Sequence, residues 1–280
     1  MRKRKVPGYG HALHLLAALL LACCALPAGA AAPGAAPPGP DCARPFTLAL
    51  HDHGLLYSAD TGTGIDKDVA DELRRRSGCQ INVSLMSRAR IWQLIESGAL
   101  DFSLSGIATD ERRGYAGFAW YFSNKYYLLV RRDAGVRRLA DVEASARFQL
   151  GVIRGFRYSA TANGLVDRMR AADRVNLASG LAPLYLALQL NHIQGMIMEP
   201  FDYPAVGDNK IRDITSVIEF NDPSVPHGLI MSNKALTPAE QEKWRALVQQ
   251  MRADGAMRRI FERYFDAKMT ATMLDFQAAP

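Results

Sequence analysis

The chain has 280 residues, with 34 Lys and Arg against 28 Asp and Glu, and 49% of it is hydrophobic. Four basic residues fall at positions 2–5 and no acid precedes Asp41, so the remainder carries 30 − 28, about +2, which gives no ground for a nucleic-acid binder. Beyond a leader, roughly 240 residues suffice for two domains or one large one.

The leader, residues 1–30, reads as a secretory signal peptide. Arg2, Lys3, Arg4 and Lys5 form its basic start, Ala12 to Ala22 is apolar but too short to span a bilayer, and Ala28-Gly29-Ala30 is a small-residue cleavage site. Leu20-Leu21-Ala22-Cys23 offers an alternative, a lipidated Cys23 at a lipobox-like site. Both readings deliver the protein outside the cytoplasm. Residues 31–42, rich in Ala, Pro and Gly, read as a disordered leader.

Strands and helices then alternate. Phe46 to His51 has the pattern of a strand and Asp66 to Gly78 that of a helix, with Asp66 as its cap and Gly78 as its stop. Gln80 to Met86 is a strand, Ser87 caps a helix to Gly98, and Phe102 to Ile107 is the next strand. This order means a parallel sheet with right-handed crossovers, and in such sheets ligands collect at the carboxyl ends of the strands. Those ends carry Asp52 to Tyr57, Met86 to Arg90 and Ser105 to Arg112. His51 and His53 read as serving packing or solubility rather than a metal; Trp92 reads as core. Cys42 and Cys79 each precede a strand. If those strands are parallel neighbours, an oxidising compartment favours a disulfide; two free thiols are the alternative. Two sulfurs with no clustered His make a metal site improbable, and no cofactor is expected.

After Ile107 the apolar run breaks into Thr109, Asp110, Glu111, Arg112 and Arg113. Thr109 can cap a helix whose positive end suits Asp110 and Glu111 but not Arg112. That misplaced cation points to an anion, which would also meet the free N–H groups of the turn; a solvated Arg112 or one paired with Asp110 or Glu111 is the plain alternative. The architecture repeats later: strand Gln149 to Ile153, turn Arg154 to Tyr158, helix Ser159 to Ala172, strand Val175 to Ala178, helix Leu181 to Leu190 and strand Gly195 to Met198. The turn, with Gly155 and Phe156, again suits an anion, flanked by Arg154 and Arg157. Leu229 to Ser232 returns as a strand. Two amphipathic helices follow, Ala239 to Gln250 and Gly255 to Phe265, with Trp244, Leu247, Met251, Ile260, Phe261 and Tyr264 facing inward.

Gly98, Asp101, Gly106, Thr109, Glu111, Arg112, Phe122, Ser123, Tyr126 and Tyr127 carry a resemblance to the family 3 solute-binding proteins, the periplasmic amino-acid receptors of ABC importers. The resemblance covers nearly all of residues 43–266, although the loop GIATDER is one residue shorter than the family's. It implies an α/β, two-lobe type II periplasmic binding protein, each lobe a mostly parallel sheet flanked by helices. One lobe would comprise residues 43–124 and 229–268 and the other residues 125–228, with hinge crossovers near Ser123 to Tyr127 and Pro226 to Ile230 and a loose tail at 269–280. It further implies that Arg112 grips a ligand carboxylate, that Glu199 stands where the family's aspartate neutralises an amino group, and that Tyr57 and Asp52 face the cleft. Ser105, Gly106 and Thr109 would complete the carboxylate site and Gly155, Phe156 and Arg157 close over it. The implied function is capture of a small carboxylated solute for an ABC permease by a monomer that is not an enzyme. Two other readings are a sensing or accessory module serving a signalling protein or oxidoreductase, and a periplasmic dehydratase of prephenate-like acids.

Overall fold

The structure, a computed structural model, describes residues 39–202 and 210–276; the expected signal peptide, Cys23 and the last four residues lie outside them. Along the chain come β1 (Phe46–Leu50), α1 (Ile65–Ser77), β2 (Ile81–Leu85), α2 (Arg88–Ser97) and β3 (Phe102–Gly106). Gly78 ends α1 and Gly98 ends α2 in the left-handed conformation, and the Ser87 side chain accepts the Arg90 N–H at the start of α2. β1 runs parallel to both β2 and β3, with Phe46 opposite Ile81. This register brings Cys42 and Cys79 to one end of the sheet, where they form the expected disulfide with 5.0 Å between Cα atoms. Asp101 fastens the start of β3 to the N-terminal strand by accepting from Arg44 and from the Thr47 N–H and hydroxyl.

A four-residue helix, α3 (Asp110–Arg113), leads into β4 (Ala116–Asn124) and β5 (Tyr127–Arg131), and the chain crosses between sheets at Asn124 to Tyr127. Then follow α4 (Leu139–Ala144), β6 (Leu150–Ile153), α5 (Ala160–Ala171), β7 (Val175–Ala178), α6 (Leu181–Gln189) and β8 (Gly195–Met198). Beyond them lie α7 (Ile211–Ile214), β9 (Thr215–Glu219), β10 (Val225–Ser232), α8 (Pro238–Ala253), α9 (Ala256–Phe261) and α10 (Ala267–Leu274). The first sheet has the order β2-β1-β3-β10-β4 and the second β7-β6-β8-β5-β9. Both place one antiparallel strand, β10 or β5, beside the parallel set.

The chain returns to the first sheet before Val225, so Pro226 to Ile230, the expected second crossing, lies inside β10. Pro226 pairs with Ser123 beyond the reach of β3, where its missing N–H breaks no ladder bond. The stretch expected to be loose from 269 is the helix α10 through Leu274. Asp266 caps it, and Met273 is buried in the core beside Phe261 and Met257.

Each sheet is covered on both faces. The first packs Leu48, Phe102 and Tyr121 against Trp244, Leu247 and Phe261 on one side, and Ile230 against Ile91, Trp92 and Ile95 on the other. The second packs Val152 against Leu165 and Met169, and Met196 against Leu184 and Leu188. Sheet plus helices thus forms one lobe on either side of a cleft.

Candidate functional site

The carboxyl end of β3 begins the site. Ser105 has φ +52, a strained value for a residue with a Cβ, and three bonds hold it there. Its N–H donates to the Tyr121 hydroxyl at 2.9 Å, its Oγ donates to Asp66 Oδ1 at 2.5 Å, and Tyr121 also reaches Asp66. Asp66 is therefore not the cap of α1, as its position suggested. Its side chain turns inward, where burial pushes it up to about 6 against the bonds from Ser105 and Tyr121. The twist at Ser105 swings Gly106 and Ile107 into the cleft wall.

Arg112 follows. Thr109 Oγ1 accepts its N–H at 3.2 Å, so the expected cap exists, yet the guanidinium folds back and the residue is 6% exposed. Nη1 donates to the Ile107 carbonyl at 3.1 Å, Nη2 donates across the cleft to the Gly155 carbonyl at 2.8 Å, and the group lies 3.8 Å from the centre of the Trp92 ring. Burial lowers it to about 10, with neighbouring Arg88 adding to the effect. Trp92 thus serves core and cleft together.

From the second lobe, β8 delivers Glu199, which is 4% exposed and receives Asn124 Nδ2 at 3.4 Å. Burial pushes Glu199 up to about 7, offset in part by Arg88. Asp202 accepts the Glu199 N–H at 2.8 Å, and burial beside Glu199 drives it well above the carboxylate range. The turn after β6 supplies Gly155, Phe156 and Arg157. Gly155 has φ +82, and a Cβ there would stand 2.8 Å from the Cα of Ala89 in the facing lobe.

A cavity of about 20 Å³, on the order of one water, lies between these groups. It is lined by Ser105, Gly106, Arg112, Gly155, Phe156, Arg157 and Glu199 from the expected set. Tyr57 and Asp52 are not among its walls. Tyr57 pairs with His53 and leans on the first core, while Asp52 is exposed and borders a second cavity of about 310 Å³ at the far side of the cleft. Thr109 acts one step back, by holding Arg112.

Arg88, Trp92, Tyr126 and His227 complete the lining. A basic residue in the first turn of α2 was the visible signal for Arg88; nothing local marks His227, which β10 carries in beside Tyr126, Nε2 3.0 Å from its hydroxyl. His51 and His53 lie just past the end of β1 at Leu50; two residues apart, they project to one side, and their rings stack 5.2 Å apart, each against Phe156. Burial keeps His53 neutral, lowering it to about 3, and its Nε2 lies 3.3 Å from Asp202 Oδ1 across the cleft. Among the described residues, no group of three His, Cys, Asp or Glu could hold a metal ion, and no helix is long and apolar enough to cross a membrane.

Residues 45–267 match the model of the bacterial extracellular solute-binding proteins, family 3. An ancestral arginine-binding protein bound to arginine superposes with TM-score 0.66 at 17% identity, over 79% of this chain and 98% of that one. The substrate-binding protein of a Streptococcus pneumoniae ABC uptake transporter with bound histidine gives 0.66 at 16% identity, over 79% and 92%. The arginine-, lysine-, histidine-binding protein of Geobacillus stearothermophilus gives 0.66 at 17%, over 79% and 95%. At such identities these neighbours establish the two-lobe fold. No protein of curated function matches the chain.

Proposed function

Because the chain belongs to the bacterial extracellular solute-binding proteins of family 3, we propose that it captures a small carboxylate-bearing solute, an amino acid or a near relative, and presents it to an ABC importer. In this reading residues 1–30 direct export to the periplasm, and residues 43–124 with 229–268 close against residues 125–228 as a monomer.

The observation that carries the reading is Arg112. A buried guanidinium is costly without a carboxylate, and no described carboxylate lies within ion-pair distance of it. Its guanidinium donates to one carbonyl from each lobe. A bound carboxylate would supply the missing charge in a bidentate geometry, and the bond to Gly155 would tie that event to closure. Glu199, facing the same cavity, would receive an amine. A cavity of one-water size cannot hold an amino acid, so the lobes must part to admit one and reclose around it.

The test is thermal melting of the purified protein across amino acids, dicarboxylates and aromatic acids. A solute at a hundredfold excess over its dissociation constant stabilises the folded state by about 2.7 kcal/mol. A carboxylated solute is expected to raise the midpoint and Arg112→Ala to abolish the rise; an unaltered rise in that variant refutes the clamp.

A further inference from the structure

Arg88 holds a position that neither helix formation nor solubility explains. It is the first residue of α2, where the free N–H groups already present positive charge, and no acid stands in that turn. An exposed arginine there would be tolerable, but this one is 5% exposed. Nη1 donates to the Leu104 carbonyl at 3.1 Å, Nη2 lies 2.8 Å from His51 Nδ1, and the Phe156 ring is 5.8 Å away. Burial holds His51 neutral, so it brings no countercharge.

Within the described residues no carboxylate is within ion-pair distance of Arg88 or of Arg112, and the two line one cavity. Arg157 adds a third cation to that lining against a single carboxylate, Glu199. Asp66 influences Arg88 only through space, its Oδ1 being engaged by Ser105 and Tyr121. Arg88 also borders the 310 Å³ cavity walled by Asp52, Met86, Gly180 and Leu181, so it stands where the two spaces meet. A buried cation in excess of its anions is stabilised when an anion arrives.

We propose that Arg88 receives a second anionic group and that the solute of this cleft is a compact dianion, a dicarboxylate or acidic amino acid that spans Arg112 and Arg88. This rests on the carboxylate site at Arg112 argued above. Replacing the second carboxylate by an amide of the same shape would leave Arg88 buried beside a weak dipole, so discrimination comes from the charge on Arg88 rather than from size.

The experiment is calorimetric titration of the wild-type protein, Arg88→Gln, Arg88→Lys and Arg112→Gln. The probes are aspartate with asparagine, glutamate with glutamine, succinate, glutarate and pentanoate. In the wild type the best dianion is expected to bind at least tenfold more tightly than its amide or monoacid partner. Arg88→Gln should reduce that ratio to threefold or less; Arg88→Lys should retain a preference for the dianion; Arg112→Gln should lose both. The proposal is overturned if wild type binds a monoanion as tightly as the best dianion, or if Arg88→Gln keeps the ratio. If no carboxylated probe binds at all, the Arg112 reading falls and this one with it. If monoanions alone bind, only this one falls. Should Arg88→Gln not fold, the wild-type ratio and the lysine variant still decide.

Discussion

Glu199 offers the sharpest test of the cleft, because its protonation must change when an ammonium arrives. Burial pushes it up to about 7, and burial together with the neighbouring Glu199 charge raises Asp202 well above its ordinary value. The ionised form is the one that binds an amine. At pH 5 about one molecule in a hundred has it, at pH 7 about half, so affinity for an amino acid should rise about tenfold per unit from pH 5 to 6.5 and level off above 7.5. Binding at pH 6 should release about 0.9 proton and at pH 8 about 0.1. Calorimetry in two buffers of different ionisation heat counts those protons. His53 and His227, lowered to about 3 by burial, stay neutral across this window and do not contribute. Glutarate, with no amine, should release none. The unliganded protein carries the same linkage with opposite consequence. Between pH 4.5 and 7 the native state holds a proton that the unfolded chain has lost, so this group's contribution to stability falls as pH rises through that range. Glu199→Gln should therefore melt above wild type at pH 8, with the gap closing near pH 4. Affinity that is flat from pH 5 to 8, or a Glu199→Gln variant with the parent's pH slope, would refute the amine role.

Three further expectations concern other parts of the molecule. Gly155→Ala would set a Cβ 2.8 Å from Ala89 Cα at a φ of +82. It should weaken the best solute by about 5- to 30-fold, the equivalent of 1–2 kcal/mol, and also lower the unliganded melting point, since alanine is strained at that φ whatever the lobes do; an unchanged dissociation constant would show that the lobes do not need this approach. Reduction of Cys42–Cys79, which closes a segment of sequence separation 37, or Cys79→Ser, should cost about 4 kcal/mol and lower the melting point by on the order of 10 °C; scanning calorimetry with and without dithiothreitol decides. Trp92 Nε1 is buried with no hydrogen-bond partner, so Trp92→Phe should keep binding within about threefold. Trp92→Leu, which removes the ring beneath Arg112, should lose about tenfold or more; equal losses in the two variants would mean that packing, not the ring face, supports the guanidinium.

Much of this molecule was written locally. The strand and helix alternation from Phe46 to Gly106 and from Leu150 to Met198 follows from apolar periodicity and from caps such as Ser87 and Gly98, signals that act over three or four residues. Arg112 was legible because a cation in a first turn violates a local rule, and Cys42 and Cys79 because parallel neighbours place equivalent positions side by side. What the sequence could not specify was which side chains share the cleft. Asp66 has the spacing of a cap, yet Ser105 and Tyr121, 39 and 55 residues away, draw it inward. His51 and His53 share a side by their spacing, but only the fold brings Phe156 from the other lobe against both rings. Arg88 bears the same kind of local signal as Arg112, but only the fold shows that its head is buried at the junction of two cavities. His227 enters because β10 inserts between β3 and β4, a pairing across more than a hundred residues. Local free energies of capping and periodicity select the elements; the cleft is chosen by strand order and lobe contact, whose favourable burial appears only once distant segments have met.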